Sequence, residues 1–298
     1  MVKYILILLV GVIKLALGDP IPIVLWHGMG DACCLPFSLG PFKTFLEKEI
    51  PGVYVLSLKI GNSIAEDIEH GYFMSPNKQV AYVCRTLTSD PNLKNGFNAI
   101  GFSQGGQFLR AVVQRCGHKI PPLKNLITLG GQHQGVYGLP NCGALKHKSC
   151  DYLRYLLNYA AYYDWMQNWL VQATYWHDPL NEDLYKKKSA FLADINNELS
   201  VNKTYIRNLN KLEHFVMVKF DNDTIVQPGA TEWFGFYVPG QAKKIQNLEQ
   251  SDIFLKGRLG LRKMKMQSKL VFLSTPGNHL QFSEEWFITN IVKPYLLT

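Results

Sequence analysis

Residues 97–111 read FNAIGFSQGGQFLRA. An apolar run over residues 97–102 leads into Gly101, Phe102, Ser103, Gln104 and Gly105, and residues 106–110 continue with helical character. Strand, sharp turn and helix in that order are what the G-x-S-x-G elbow requires. The serine stands exposed at a strand tip on a strained bend, and the flanking glycines let the adjoining strand and helix approach. The N-terminus of that helix would face the negative charge that forms when the serine attacks a carbonyl. Such a short pattern also arises by chance, so its weight depends on its surroundings.

Further buried-strand candidates lie at residues 21–26, 53–58, 126–129, 215–220 and 270–274, with helical stretches between them. This alternation predicts an α/β fold: a mostly parallel sheet with helices on both faces, in one domain spanning residues 19–298. Ser63 with Glu66 reads as a capping box, Ser75 with Pro76 as a cap and first-turn proline, and Ser283 before Glu284 and Glu285 as a third helix start. Residues from about 140 to 212 break the rhythm. They are rich in Tyr155, Tyr159, Tyr162, Trp165, Trp169 and Trp176 at helical spacing, which predicts a helical insertion whose aromatics pack a small core of their own.

A serine hydroxyl attacks only if a base takes its proton. His279, in LVFLSTPGNHL, follows the last strand, where this architecture places the base. His133, in GGQHQG, also follows a strand, but its glycine-rich loop suits a structural role, and chain order favours His279. The orienting acid is expected after the penultimate strand, where FVMVKFDND offers Asp221 and Asp223; spacing does not separate them. Serine, acid, histidine is the chain order of α/β-hydrolases and not of the chymotrypsin or subtilisin types. The strand and loop IVLWHGMGD would supply one oxyanion-binding amide and Gln104 a second.

At 47% hydrophobic and 18% charged residues, the 298-residue chain has the balance of a globular protein. Its start, MVKYILILLVGVIKLALG, reads as a signal peptide cut after Gly18. The alternative, an uncleaved anchor, is disfavoured because Lys14 interrupts an apolar run already short of the roughly 20 residues that span a bilayer. No later segment is apolar enough to cross a membrane. Six cysteines, Cys33, Cys34, Cys84, Cys116, Cys142 and Cys150, in a chain entering an oxidising compartment predict disulfides rather than zinc, for which no Cys-x-x-Cys spacing exists. Asn202 and Asn222 open glycan acceptor sequences. Removing Lys3 and Lys14 lowers the formal charge from +8 to +6, spread without the aromatic-interleaved basic patch of a nucleic-acid binder.

HGMGD (27–31), GFSQGGQFLRA (101–111), GGQHQGVYGLP (130–140), YWHDP (175–179), FLADIN (191–196), EWFGFY (232–237) and SEEWF (283–287) together resemble the palmitoyl-protein thioesterases, in particular their type 1 lysosomal branch. The resemblance covers nearly all of the mature chain. It implies an α/β-hydrolase that hydrolyses long-chain acyl thioesters on protein cysteines, without metal or cofactor, in the lysosome after secretory transit, with secretion as a further destination. It implies Ser103 as nucleophile, Asp223 as acid and His279 as base, with the amides of Met29 and Gln104 as oxyanion hole and Trp176, Ile225 and Val226 along an acyl groove. It also implies the pairings Cys33–Cys34, Cys84–Cys116 and Cys142–Cys150. Asp221 and Gln227 depart from the family pattern beside the acid. The competing readings are a lipase or carboxylesterase acting on oxygen esters, which the same triad serves, and a catalytically silent hydrolase fold that binds lipid.

Overall fold

The computed structural model describes residues 19–138, 157 and 159–297. The expected leader, residues 1–18, and Cys142, Cys150 and Tyr155 lie outside the described residues. The strands, in chain order, are β1 (Ile23–Trp26), β2 (Val55–Ser57), β3 (Phe97–Phe102), β4 (Leu123–Leu129), β5 (His214–Phe220), β6 (Phe236–Tyr237), β7 (Ile245–Gln246) and β8 (Leu270–Thr275). Six of them form one sheet in the order β2-β1-β3-β4-β5-β8, parallel throughout, while β6 and β7 pair antiparallel on their own. This is the expected α/β-hydrolase architecture.

A parallel sheet is buried on both faces because its crossover helices return over them. Every residue of β1 and β3 is accordingly buried. Alternation along the strands sends Val24, Trp26, Ala99, Leu126, Phe215 and Met217 to one face and Ile23, Leu25, Ile100, Ile127, Val216 and Val218 to the other. Helices Pro76–Ser89 and Gln104–Cys116 cover the first face through Val80, Val83, Phe108 and Val112. Helix Leu39–Glu49 and the C-terminal helical stretch cover the second through Leu39, Leu46, Phe287 and Ile291. A disulfide between Cys84 and Cys116 joins the two helices of the first face, with Cα atoms 6.2 Å apart, and Cys33 is bonded to Cys34.

All the strand candidates lie in the sheet, with shifted ends. β4 starts at Leu123 rather than Leu126 because Leu123 still pairs with Phe97. The capping box at Ser63 is only half formed: its Oγ accepts the Glu66 N–H at 3.1 Å, but the Glu66 carboxylate turns to the Asn62 N–H. The Ser75 side chain makes no cap, and the proline at the first helical position does the work there by needing no N–H partner. Ser283 caps its helix through the Trp286 N–H at 3.1 Å.

Between β4 and β5 lie the short helices Asp164–Trp169, Glu182–Lys188, Leu192–Ile195 and Lys203–Leu209. Their aromatics do not build a separate core, contrary to the expectation above. Tyr162, Trp176, Tyr185 and Phe191 join the cluster on the first sheet face, and Phe191 meets Phe108 of the elbow helix edge-on at 5.4 Å. Helices this short bury their apolar side against an existing surface more readily than against one another. Tyr159, Trp165 and Trp169 stay exposed.

Gly101 and Gly105 fix how closely β1, β3 and the elbow helix pack. A Cβ on Gly105 would stand 2.4 Å from the Trp26 carbonyl oxygen, and one on Gly101 2.4 Å from Gly106 Cα. Backbone is what would be struck, so neither clash is relieved by a rotamer change. Gly105→Ala is expected to cost about 3 kcal/mol, read as a lower urea midpoint; an unchanged midpoint would contradict this packing.

Candidate active site

The elbow is formed at Ser103, which lies at φ 53°, ψ −123°, between β3 and helix Gln104–Cys116. This backbone region is unfavourable for a side chain and costs of order 1–3 kcal/mol. Two hydrogen bonds hold it there: the Ser103 N–H donates to Leu129 O at 2.8 Å, and its carbonyl accepts the Gly106 N–H at 3.0 Å. The side chain is thereby lifted to the carboxyl edge of the sheet, where open α/β sheets place their ligands.

β5 and β8 are parallel neighbours paired as far as Phe220 and Thr275, so the loops that follow them emerge side by side. His279 Nδ1–H donates to Asp223 Oδ2 at 2.5 Å, while Asp223 Oδ1 accepts the N–H groups of Ile225 at 2.7 Å and Val226 at 2.8 Å. Burial would raise the Asp223 carboxyl, but His279 and the two backbone donors outweigh it and hold the group below its usual range. Asn278, which sequence reasoning passed over, clamps the two loops. Its Oδ1 accepts from Thr224 N, Thr224 Oγ1 and His279 N at 2.9, 3.1 and 2.7 Å.

Ser103 and His279 both lie against the end of β4. Leu129 takes the Ser103 N–H, and a Cβ on the adjacent Gly130 would lie 2.8 Å from His279 Cε1. Among the described residues no hydrogen bond joins Ser103 Oγ to the imidazole. Asp221, left open by spacing, instead pairs with Lys219 at 2.5 Å in a partly exposed position. His133 is fully buried, hydrogen-bonded to Thr128 Oγ1 at 3.0 Å and stacked on Phe234. Burial, then the charge of Arg110, pushes it well below the usual histidine value, so it is a neutral packing group.

The loop after β1 runs beside the serine, with the Cβ position of Gly28 3.2 Å from Ser103 Cβ. Met29 is partly exposed, and its sulfur accepts from Gln172 Nε2 at 2.8 Å. The Gln104 amide heads the elbow helix, and its buried side chain donates to Gly71 O at 3.0 Å and accepts from Tyr175 Oη at 3.3 Å. Beneath the loop lies a pair that sequence reasoning did not connect. His27 Nδ1 meets Gly28 O at 2.8 Å and Nε2 meets Asp67 Oδ1 at 3.0 Å, both residues being fully buried. Both partners accept, so both ring nitrogens carry hydrogen and His27 is a cation. Asp67 also takes the N–H groups of Cys33 and Ile60, which ties the loop, the vicinal disulfide and the segment after β2 to one carboxylate. Forty residues separate the pair in sequence, and only the fold brings them together.

The residues expected along an acyl groove are close in space but unequal in exposure. Trp176 and Val226 are buried, at 1% and 3% exposure, and Ile225 is exposed at 37%. Segment 136–137 connects them: Val136 exchanges backbone hydrogen bonds with Tyr175 and His177, and the Tyr137 N–H donates to Gln227 O at 2.8 Å. Beside the Met29 loop, Phe73 and Trp169 stack at 5.1 Å, both exposed. Asn202 is an exposed helix cap accepting from Thr204 N; Asn222 is exposed, and its Nδ2 donates to Pro276 O. No cluster of three or more metal-ligating side chains exists among the described residues, and none of their helices is long and apolar enough to cross a membrane.

The sequence profile described as Palmitoyl protein thioesterase matches residues 22–279. Palmitoyl-protein thioesterase 1 of Caenorhabditis elegans is 48% identical over 277 residues, covering 93% of this chain and 92% of that protein. Palmitoyl-protein thioesterase 3 of Dictyostelium discoideum is 34% identical over 98% of this chain and 97% of its own length. The human protein named lysosomal thioesterase PPT2 is 26% identical over 84% of this chain and 78% of its own length.

The His27–Asp67 pair makes stability depend on pH in a defined direction. For His27, burial lowers the proton affinity, but the hydrogen bond and charge of Asp67 and the Gly28 carbonyl raise it above 6.5 overall. For Asp67, burial raises and His27 with the backbone donors lowers, leaving it below 3.8. The histidine contribution is complete below pH 6.5 and fades as pH climbs through its raised value, while the aspartate contribution is complete above 3.8 and fades below it. Asp67→Asn is expected to destabilise by about 3 kcal/mol, most between those two pH values and less at pH 9. Urea unfolding of both proteins across pH checks this, and a deficit that grows with alkalinity would refute it.

Proposed function

The chain belongs to the palmitoyl-protein thioesterase family, and we propose that it hydrolyses the thioester joining a long-chain fatty acyl group, such as palmitate, to cysteine residues of proteins. The observation that carries this reading is the Asp223–His279 hydrogen bond at 2.5 Å beside a serine held on a left-handed elbow at a helix N-terminus. In the proposed mechanism, His279 takes the Ser103 proton as Ser103 Oγ attacks the acyl carbonyl. Asp223 keeps the proton on Nδ1 and stabilises the imidazolium. The amides of Met29 and Gln104 receive the oxyanion, each such donor contributing about 3 kcal/mol to the transition state. The protein thiol leaves with the proton from His279. Water, activated by the same imidazole, then releases the fatty acid from the acyl-serine.

Chain-length selectivity follows from burial, at about 0.8 kcal/mol per methylene. Met29, on the loop beside the serine, and the exposed Phe73–Trp169 stack offer apolar surface, and Ile225 offers it on the acid side. The substrates are therefore S-acylated proteins or peptides and other long-chain acyl thioesters. The relatives named as lysosomal thioesterases support a lysosomal location, reached by the secretory route that the leader sequence implies, with secretion as its other outlet.

Ser103→Ala is expected to lower kcat on a palmitoyl thioester by at least about 10⁴-fold and to abolish labelling by a fluorophosphonate serine probe. Equal labelling of wild type and variant would favour the silent lipid-binding alternative. The same purified protein, given matched palmitoyl thioester and palmitoyl oxygen ester, is expected to prefer the thioester; faster ester turnover would make it a lipase or carboxylesterase instead.

A further inference from the structure

Behind the acid of the triad lies a second carboxyl group that the mechanism above does not use. Glu232 sits on the short helical turn Gly229–Trp233, which is anchored on β5 by a hydrogen bond from Trp233 Nε1 to Met217 O at 3.0 Å. Glu232 is 0% exposed. Its Oε2 accepts the Phe220 N–H at 3.0 Å, its Oε1 is buried without any donor among the described residues, and the side chain lies within hydrogen-bonding reach of Asp223, whose own side chain is 1% exposed. Two carboxylates in contact in a dry site do not both ionise; one keeps a proton and shares it. The donor count says which. Asp223 receives His279 Nδ1–H and two backbone N–H groups, whereas Glu232 receives one.

We infer that Glu232 is a positioning residue that stays protonated and donates a hydrogen bond to the Asp223 carboxylate, so that Asp223 holds the imidazolium of His279 less strongly. This rests on the triad proposed above. Burial, followed by the charge of Asp223 and the bond to it, pushes the Glu232 carboxyl up to about 10, consistent with that proton. The other charged neighbours do not supply an ion pair. Lys219 on β5 is engaged by Asp221 and lies over the Trp233 ring at 5.0 Å, while Arg110 and His133 are both packed against the ring of Phe234. The direction of the effect follows: an added donor draws charge from Asp223, and removing it strengthens the hold on the imidazolium, so activity fails at a higher pH.

The test is the pH dependence of kcat/KM on a palmitoyl thioester for the full-length protein. Glu232→Gln keeps a neutral donor for Asp223 and an acceptor for Phe220, and is expected to keep the wild-type acidic limb. Glu232→Leu removes the donor and is expected to move that limb upward by about one pH unit. A folded Glu232→Leu whose limb overlays the wild type overturns the inference. Should that variant not fold, infrared difference spectra of wild type and Glu232→Gln at pH 7 decide it: a protonated-carboxyl band lost in the variant supports the inference, and its absence from the wild type overturns it. If instead Ser103→Ala and His279→Ala keep full activity, the triad itself fails, and the infrared result still reports the state of Glu232.

Discussion

The geometry of the site depends on one constraint: a non-glycine residue held at positive φ where β3 becomes a helix. Ser103 remains in that strained region because its N–H and carbonyl are both committed, to Leu129 and to Gly106. The closeness of strand and helix that makes these bonds possible requires hydrogen side chains at 101 and 105, where any Cβ would meet backbone. Everything else is arranged around that point. β1 delivers the Met29 loop beside it, β4 passes beneath it, and β5 and β8 bring Asp223 and His279 together through their parallel register.

Carboxyl groups tie down the loops at this end of the sheet. Asp67 gathers the Met29 loop, Asp223 gathers the loop after β5, and Glu182 holds His177, which is stacked between Tyr185 and Phe236 at 3.8 and 4.2 Å. His177, like His27, gives both ring nitrogens to acceptors, Gln134 O and Glu182 Oε1. Burial opposes its charge, but Glu182 and the other acceptors prevail and its proton affinity is raised. Both histidine cations are therefore most secure at acidic pH.

Arg110 shows the same economy on the far side of the elbow helix. Fully buried, it donates to His133 O, Ile195 O and the Asn196 side chain at 3.0, 3.1 and 2.9 Å, with its guanidinium over Phe234. It has no carboxylate partner among the described residues, and burial pushes it down to about 9. Neutral acceptors are enough because the planar guanidinium spreads its charge over several hydrogen bonds. The helix Gln104–Cys116 is thus pinned directly to residues 195–196 between β4 and β5.

The strands, the elbow at Ser103 and the placing of His279 and the two aspartates on loops after strands were legible in the sequence, because each is written in local patterns: apolar runs, glycines at fixed offsets, a turn after a strand. Spacing left Asp221 and Asp223 equivalent; the family resemblance preferred Asp223, and the structure shows it against His279 because register, not sequence distance, decides which side chain faces the neighbouring loop. The aromatics of residues 159–191 were expected to pack together, yet half-buried helical spacing does not say which surface a face will find, and several found the sheet while others stayed in solvent. Asp67 beneath His27 and Glu232 behind Asp223 left no local signal. A carboxyl group becomes a cation's partner or a proton store only when distant segments exclude water around it, and that exclusion exists only in the folded protein.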